Sequence, residues 1–222
     1  MTPFRDRTEA GRTLGRLVAA RYGGRDDLVV LALPRGGVPV GYEVARALDA
    51  PLDVFLVRKL GVPGHPELAM GAIASGGTRV MNDEIVATLG IPSAWIEAVT
   101  REERVELHRR EVAFRGRRPA PVVAGRIAIL VDDGLATGST MRAAVRALRR
   151  QRPSRIVVAV PIGARATCEA LASEVEDVIC AETPEPFAAV GQGYVDFAPT
   201  TDEQVHDVLA RAAHARPAGA AS

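Results

Sequence analysis

Five short apolar runs, separated by amphipathic stretches, constrain this chain more than anything else in it. They are Leu28–Leu33 (LVVLAL), Leu52–Val57 (LDVFLV), Ile127–Val131, Ile156–Val160 and Val178–Ala181. Each is too short for a buried helix and nearly continuously apolar, Asp53 being the one interruption, which is the pattern of a strand covered on both faces. Between them, Val38–Leu48 sets Val40, Val44, Ala45 and Leu48 on one helical face. Ser139–Arg150 does the same with Met141, Ala144, Val145 and Leu148, and Ala164–Ala172 reads as a further helix. Such alternation predicts an α/β fold with a doubly wound, mostly parallel sheet. Pro92–Gly116 breaks the repeat: it is a long charged helical candidate carrying Trp95, Ile96, Val99 and Val105, expected as an inserted helical arm or small cap. A last helix is expected from about Asp202, behind the capping box TDEQ at Thr201–Gln204. The end, HARPAGAAS, should fray. With no repeat and no low-complexity linker, residues 1–216 read as one domain with its arm at about 92–116, and 217–222 as a disordered tail.

Bulk properties exclude more than they identify. A formal net charge of +1 gives no electrostatic reason to expect nucleic acid or an anionic membrane as partner. The Arg-rich stretch RREVAFRGRR (Arg109–Arg118) is preceded by interleaved acids and reads as a solvated helix face rather than an RNA contact. No apolar run approaches the roughly 18 residues of a membrane span. The start, MTPFRDRTEAGRTLGRL, lacks the apolar core of a signal peptide. Cys168 and Cys180 form no metal spacing, so reduced thiols and a cytoplasmic location are expected. Lysine and arginine together number 28, yet Lys59 is the sole lysine. That isolation suggests position 59 needs a compact, flexible ammonium rather than a planar guanidinium.

The stretch ILVDDGLATGST (Ile129–Thr140) carries the chemistry. A strand delivers Asp132 and Asp133 to the carboxyl edge of the sheet, where open α/β folds bind ligands. Neither acid has a cation beside it in the chain, so something outside the chain should need them. The turn Ala136, Thr137, Gly138, Ser139 and Thr140 then enters a helix, and small residues, hydroxyls and the helix N-terminus together make an anion cradle. Carboxylates beside a phosphate site must hold something between them, either vicinal hydroxyls, a metal, or both. A ribose 5-phosphate meets that description.

At these residues the chain resembles the type I phosphoribosyltransferases, which use 5-phosphoribosyl 1-pyrophosphate (PRPP). It is closer to the adenine-type signature, with LATG, than to the hypoxanthine-type, which carries an Asp where this chain has Ala136. The resemblance spans roughly Leu28–Val160 without the arm, and is strongest at Asp132–Thr140. It implies a pyrophosphate loop after the first core strand, matched by Arg35, Gly36 and Gly37 in LPRGGVPVG, with a cis peptide at Pro34–Arg35 or Arg35–Gly36. It also implies an Arg–Lys pair, Arg58 and Lys59, followed by a mobile loop in VRKLGVPGHPELAMGA that closes over substrate. His65 reads as an ordinary loop residue, and Glu67 as a candidate for the proton-handling carboxyl that Ala136 does not supply.

The implied reaction transfers phosphoribose to a nitrogenous base, purine or pyrimidine, with release of pyrophosphate. Arg35, Lys59 and a Mg²⁺ held mainly by substrate oxygens would neutralise the leaving group. Asp132 and Asp133 would fix the ribose hydroxyls, directly or through the metal and water, and favour the cationic ring. Loop closure would exclude water. PEPFAAVGQGYVDF (Pro184–Phe197) resembles the base-binding segment, with Phe187, Tyr194, Asp196 and Phe197 as candidates. A regulator of the same fold that senses PRPP or a nucleotide without turnover is the alternative. A sugar-phosphate kinase is disfavoured because DDGLATGST is not a P-loop. A homodimer is expected by analogy.

Overall fold

The computed structural model describes residues 2–116 and 118–215, without the side chains of residues 66, 67 and 215. Five strands, β1 (Leu28–Ala32), β2 (Leu52–Val54), β6 (Ile127–Val131), β7 (Arg155–Ile162) and β8 (Asp177–Glu182), form one parallel sheet in the order β2-β1-β6-β7-β8. Alternation along the strands sorts the core into two layers. Val30, Ile127, Ile129 and Val157 face α1 (Arg7–Tyr22) and α2 (Gly37–Leu48). Val29, Leu31, Leu130 and Val158 face α5 (Ser139–Arg149) and α6 (Arg165–Leu171). The fold is therefore doubly wound, as the apolar runs predict.

Helix α1 did not announce itself by hydrophobicity, since much of its length is charged. Its signal is DRTE: the Asp6 side chain accepts from the Glu9 amide at 2.8 Å and starts the helix. Gly11 and Gly15 then let α1 lie directly on α2. A Cβ on Gly11 would sit 3.0 Å from the Val40 backbone, and one on Gly15 would sit 3.1 Å from the Glu43 carbonyl.

Between β2 and β6 the chain builds a separate antiparallel sheet, β3 (Val57–Val62), β4 (His65–Ala74) and β5 (Thr78–Met81), then α3 (Asp83–Thr88) and α4 (Ser93–Arg115). The stretch expected as a long loop is thus mostly hairpin, and the second core strand stops at Val54 rather than Val57. The reason is local: Pro63-Gly64, with Gly64 at φ +81, is a two-residue turn that pairs Val62 with His65. Leu60, Met70 and Ile73 bury between the hairpin, α4 and α7 (Asp202–Ala215). The arm is fastened by Arg115 to the buried Asp53 carboxylate at 2.7 Å.

The TDEQ box forms as expected, the Thr201 hydroxyl and Gln204 side chain each accepting the other's amide. Helix α7 continues through His214 and Ala215, the first two residues of the stretch expected to fray. The tail at 217–222 lies outside the described residues.

Candidate functional site

The strand order makes the site. From β1 the chain steps outward to β2, then returns to the other side of β1 for β6, so the loops after β1 and β6 diverge at the switch point of the sheet. The first loop is Leu33–Gly36 and the second Asp132–Gly138. They are stitched together at the base, where the Leu33 amide donates to the Val131 carbonyl at 2.8 Å.

Gly36, which ends the first loop, and Gly37, which opens α2, both lie against the strand end that carries the twin acids. A Cβ on Gly36 would land inside the Asp133 carboxylate, and one on Gly37 would sit 2.7 Å from the Val131 carbonyl oxygen. The Pro34–Arg35 peptide is cis, one of the two positions expected. Arg35 itself reaches outward, 3.5 Å from Asp202. It shares a small cavity of about 150 Å³ with Arg109 and Arg110 of the arm. The arm thus adds two guanidiniums next to Arg35, from a stretch that reads in the sequence as a solvated face; both also bond Glu106, at 2.7 and 2.8 Å.

Asp132 accepts from the Asp133 amide at 2.9 Å. Its carboxyl is pushed well above the usual carboxylate range, by desolvation first and by the neighbouring Asp133 charge second. The unpaired acids of the sequence do find a cation. Arg7, from the first turn of α1, donates through Nε to Asp133 Oδ2 at 2.8 Å, with 12% and 16% of the two side chains exposed. The same guanidinium donates to the Ala198 carbonyl at 2.7 Å and lies 4.1 Å from the Phe197 ring centroid. Arg7 is the residue that local reading of the motif missed, because its partner is 126 positions away.

The second loop forms a pinned turn. Leu135 exchanges backbone bonds with the Ile162–Ala164 segment at the end of β7, and the Thr167 hydroxyl donates to the Ala136 carbonyl at 2.7 Å. Gly138 sits at φ +73, and a Cβ there would lie 2.8 Å from Thr167 Cγ2, so both conformation and space require glycine. Helix α5 starts at Ser139, and its first amides, including those of Ser139 and Thr140, have no acceptor within the helix. Thr137, Ser139 and Thr140 are exposed around these donors. Lys59 arrives from the hairpin, its Nζ donating to Ser139 Oγ at 3.3 Å. The sole lysine therefore stands at this turn.

Arg58, next to Lys59 on the same strand, points to the opposite face and pairs with Glu103 of the arm at 2.6 Å. The structure does not bring it to the turn. Tyr194 is buried, and its hydroxyl donates to the Asp133 carbonyl at 2.6 Å while its ring stacks on Phe197 at 5.0 Å. Burial, and then the Asp133 charge, push its phenol up. Asp196 accepts from the Ala198 amide at 3.0 Å, closing a turn. The segment around Tyr194 thus braces the acids from behind, and Val190 packs so closely on Gly134 that no Cβ would fit between them. Phe187 is half-buried against the cluster of Ala10, Ile162 and Tyr194. The Glu67 side chain lies outside the described ones.

Against known proteins, the phosphoribosyl transferase domain model matches residues 8–195. The chain belongs to the phosphoribosyl transferase family. A Mycobacterium tuberculosis protein, provisionally named a phosphoribosyl transferase, is 48% identical over 212 residues. That match covers 96% of this chain and 47% of the relative, so the chain spans about half the length of the curated relatives it matches. The crystal structure of TT1426 from Thermus thermophilus superposes with a TM-score of 0.85 at 41% identity, covering 96% of this chain and all of that one. A protein from Aquifex aeolicus, AQ2163, shares the fold alone, at 12% identity and a TM-score of 0.51, over 91% of this chain and 84% of its own. Among the described residues, no helix of this family member is long and apolar enough to cross a membrane.

Proposed function

We propose that the chain transfers phosphoribose from PRPP to a nitrogenous base, purine or pyrimidine, with release of pyrophosphate. One observation carries this reading: the anion turn and the twin acids meet the glycine loop at the switch point, with Gly36 and Gly37 in contact with those acids. The 5-phosphate would sit on the first amides of α5 beside Thr137, Ser139 and Thr140, with Lys59 at this seat rather than on the leaving pyrophosphate, where the resemblance put it. The ribose hydroxyls would meet Asp132 and Asp133, whose negative charge favours the cationic ring that develops as the anomeric bond breaks. Arg35, with Arg109 and Arg110 of the arm, offers guanidiniums to the departing pyrophosphate. The hairpin bearing Lys59 supplies the cover that keeps water from the activated sugar.

Among the described residues no group of three or more His, Cys, Asp or Glu could hold a metal unaided. Asp132 and Asp133 nonetheless fit a Mg²⁺ that takes its remaining ligands from substrate and water, a habit of that ion. Bound so, the metal would supply charge neutralisation for pyrophosphate. Self-association through the arm fits its exposed Trp95, Val105 and Val112.

The deciding experiment is a screen of nucleobases with PRPP and Mg²⁺, scoring pyrophosphate release. One base supporting release is the expected result. Tight PRPP binding with no release from any base would establish the second reading, a sensor of PRPP or nucleotide. That reading draws support from the ion pair that already engages Asp133 and from the burial of Tyr194 away from an acceptor.

A further inference from the structure

The phosphate turn opens onto a cavity with far more room than one phosphate needs. It occupies about 330 Å³ between α5 and the β4–β5 hairpin. Thr137 and Ser139 form its upper end, and Lys59, Arg142 and Arg146 are the charged residues of its wall. No carboxylate lines it among the described residues. This is notable in a chain whose formal net charge is only +1. A second cavity of about 680 Å³ adjoins it, sharing Val80, Met81 and Arg146; its wall mixes Arg79, Arg149 and Arg150 with Asp83 and Glu174, so the carboxylate-free stretch is the first cavity.

The three cations are not equally engaged. Lys59 contacts Ser139, and Arg142 is paired with Glu174 at 2.8 Å. Arg146 is exposed and has no carboxylate partner among the described residues. It lies seven residues along α5 from Ser139, roughly 10 Å at the helical rise. Helix side chains lean toward the N-terminus, so the guanidinium is carried back toward the turn. An anion extending from the turn would meet Arg142 first and Arg146 second.

We propose that this cavity receives the phosphates that continue outward from a ribose 5-phosphate, making the protein a binder of nucleoside 5′-diphosphates and 5′-triphosphates in competition with PRPP. The inference rests on the 5-phosphate seat assigned above and adds a ligand class to it. PRPP carries a single phosphate at that end of the ribose and leaves the cavity unfilled; a nucleoside triphosphate fills it. The site therefore gives nucleotides a means of regulating use of PRPP through charge that PRPP itself cannot exploit.

The test is calorimetric titration of the full chain with AMP, ADP and ATP, and with the guanine series, at matched free Mg²⁺, each alone and against PRPP. Affinity should rise about tenfold or more from monophosphate to triphosphate in at least one series, the return expected from one further charge-assisted hydrogen bond. Arg146→Glu should abolish that rise while leaving the monophosphate within about twofold, and Arg146→Ala should fall between. Arg146 is solvent-exposed, so neither change threatens the fold. PRPP and monophosphates binding with no dependence on phosphate number would overturn the inference and leave the proposed function standing. Failure of PRPP and every nucleotide to bind would overturn both.

Discussion

Replacing Arg7 with Met removes the cation that holds Asp133 while keeping most of the side-chain length. Stripping one partner from a fully buried pair costs about 3–5 kcal/mol, because the other charge is stranded. Here 12% and 16% of the two side chains remain exposed, so water recovers part of that loss. The expected cost is about 2–3 kcal/mol, which for a chain of this size lowers Tm by roughly 5–10 °C. Thermal denaturation of wild type, Arg7→Met, Asp133→Asn and the double variant checks the cause as well as the size. If a stranded charge is responsible, Asp133→Asn should restore part of what Arg7→Met loses, since the amide at 133 needs no counter-ion. The double variant should then melt above Arg7→Met. A double variant that melts at or below the sum of the two single losses would refute the reasoning and leave Arg7 as a packing residue on Phe197.

Three further outcomes follow from the same geometry. Asp132 is raised by desolvation, so its protonated form favours the native state; that contribution is full below the unfolded value of 3.8 and is lost as pH rises through the raised folded one. Asp132→Asn should therefore be more stable than wild type at pH 7, and its Tm should gain less on acidification; an identical pH slope in chemical denaturation would contradict this. Lys59→Ala should lower turnover by roughly 10²–10³-fold in the pyrophosphate-release assay, the size of losing one preorganised donor; unchanged turnover removes Lys59 from the mechanism. Gly36→Ala places a methyl where the Asp133 carboxylate lies, so PRPP affinity should fall at least about tenfold by calorimetry, and wild-type affinity would show that the acid is not needed where it sits.

The parallel core was legible because its strands are buried on both sides, which writes uninterrupted apolar runs such as Ile127–Val131 into the sequence. The turn into α5 was legible for a different reason: a left-handed Gly138 ahead of Ser139 is a local requirement, and local requirements leave local marks. The hairpin was not, because Pro63-Gly64 looks alike in a mobile loop and in a tight turn, and the pairing of Val57 with Ala74 has no local signature. Helix α1 buries Leu14, Val18 and Tyr22, but its packing face also carries Gly11 and Gly15 and Leu17 lies exposed, so its amphipathic stripe is faint. Arg7 was out of reach on both counts. Its role depends on a sheet edge, a distant carboxylate and an aromatic ring that only the folded chain assembles. Arg58 shows the converse: the dipeptide Arg58–Lys59 looks like one functional pair, yet strand alternation sends its members to opposite faces.

The seating of α1 on α2 bears on how this protein should be handled at the bench. An expression clone trimmed to start at the first apolar run would retain each signature motif and the full parallel sheet. It would still lose the guanidinium that steadies the second acid, along with the glycine-lined shelf on which the helix after the first glycine loop rests. A negative assay on such a clone would therefore say nothing about the untrimmed chain.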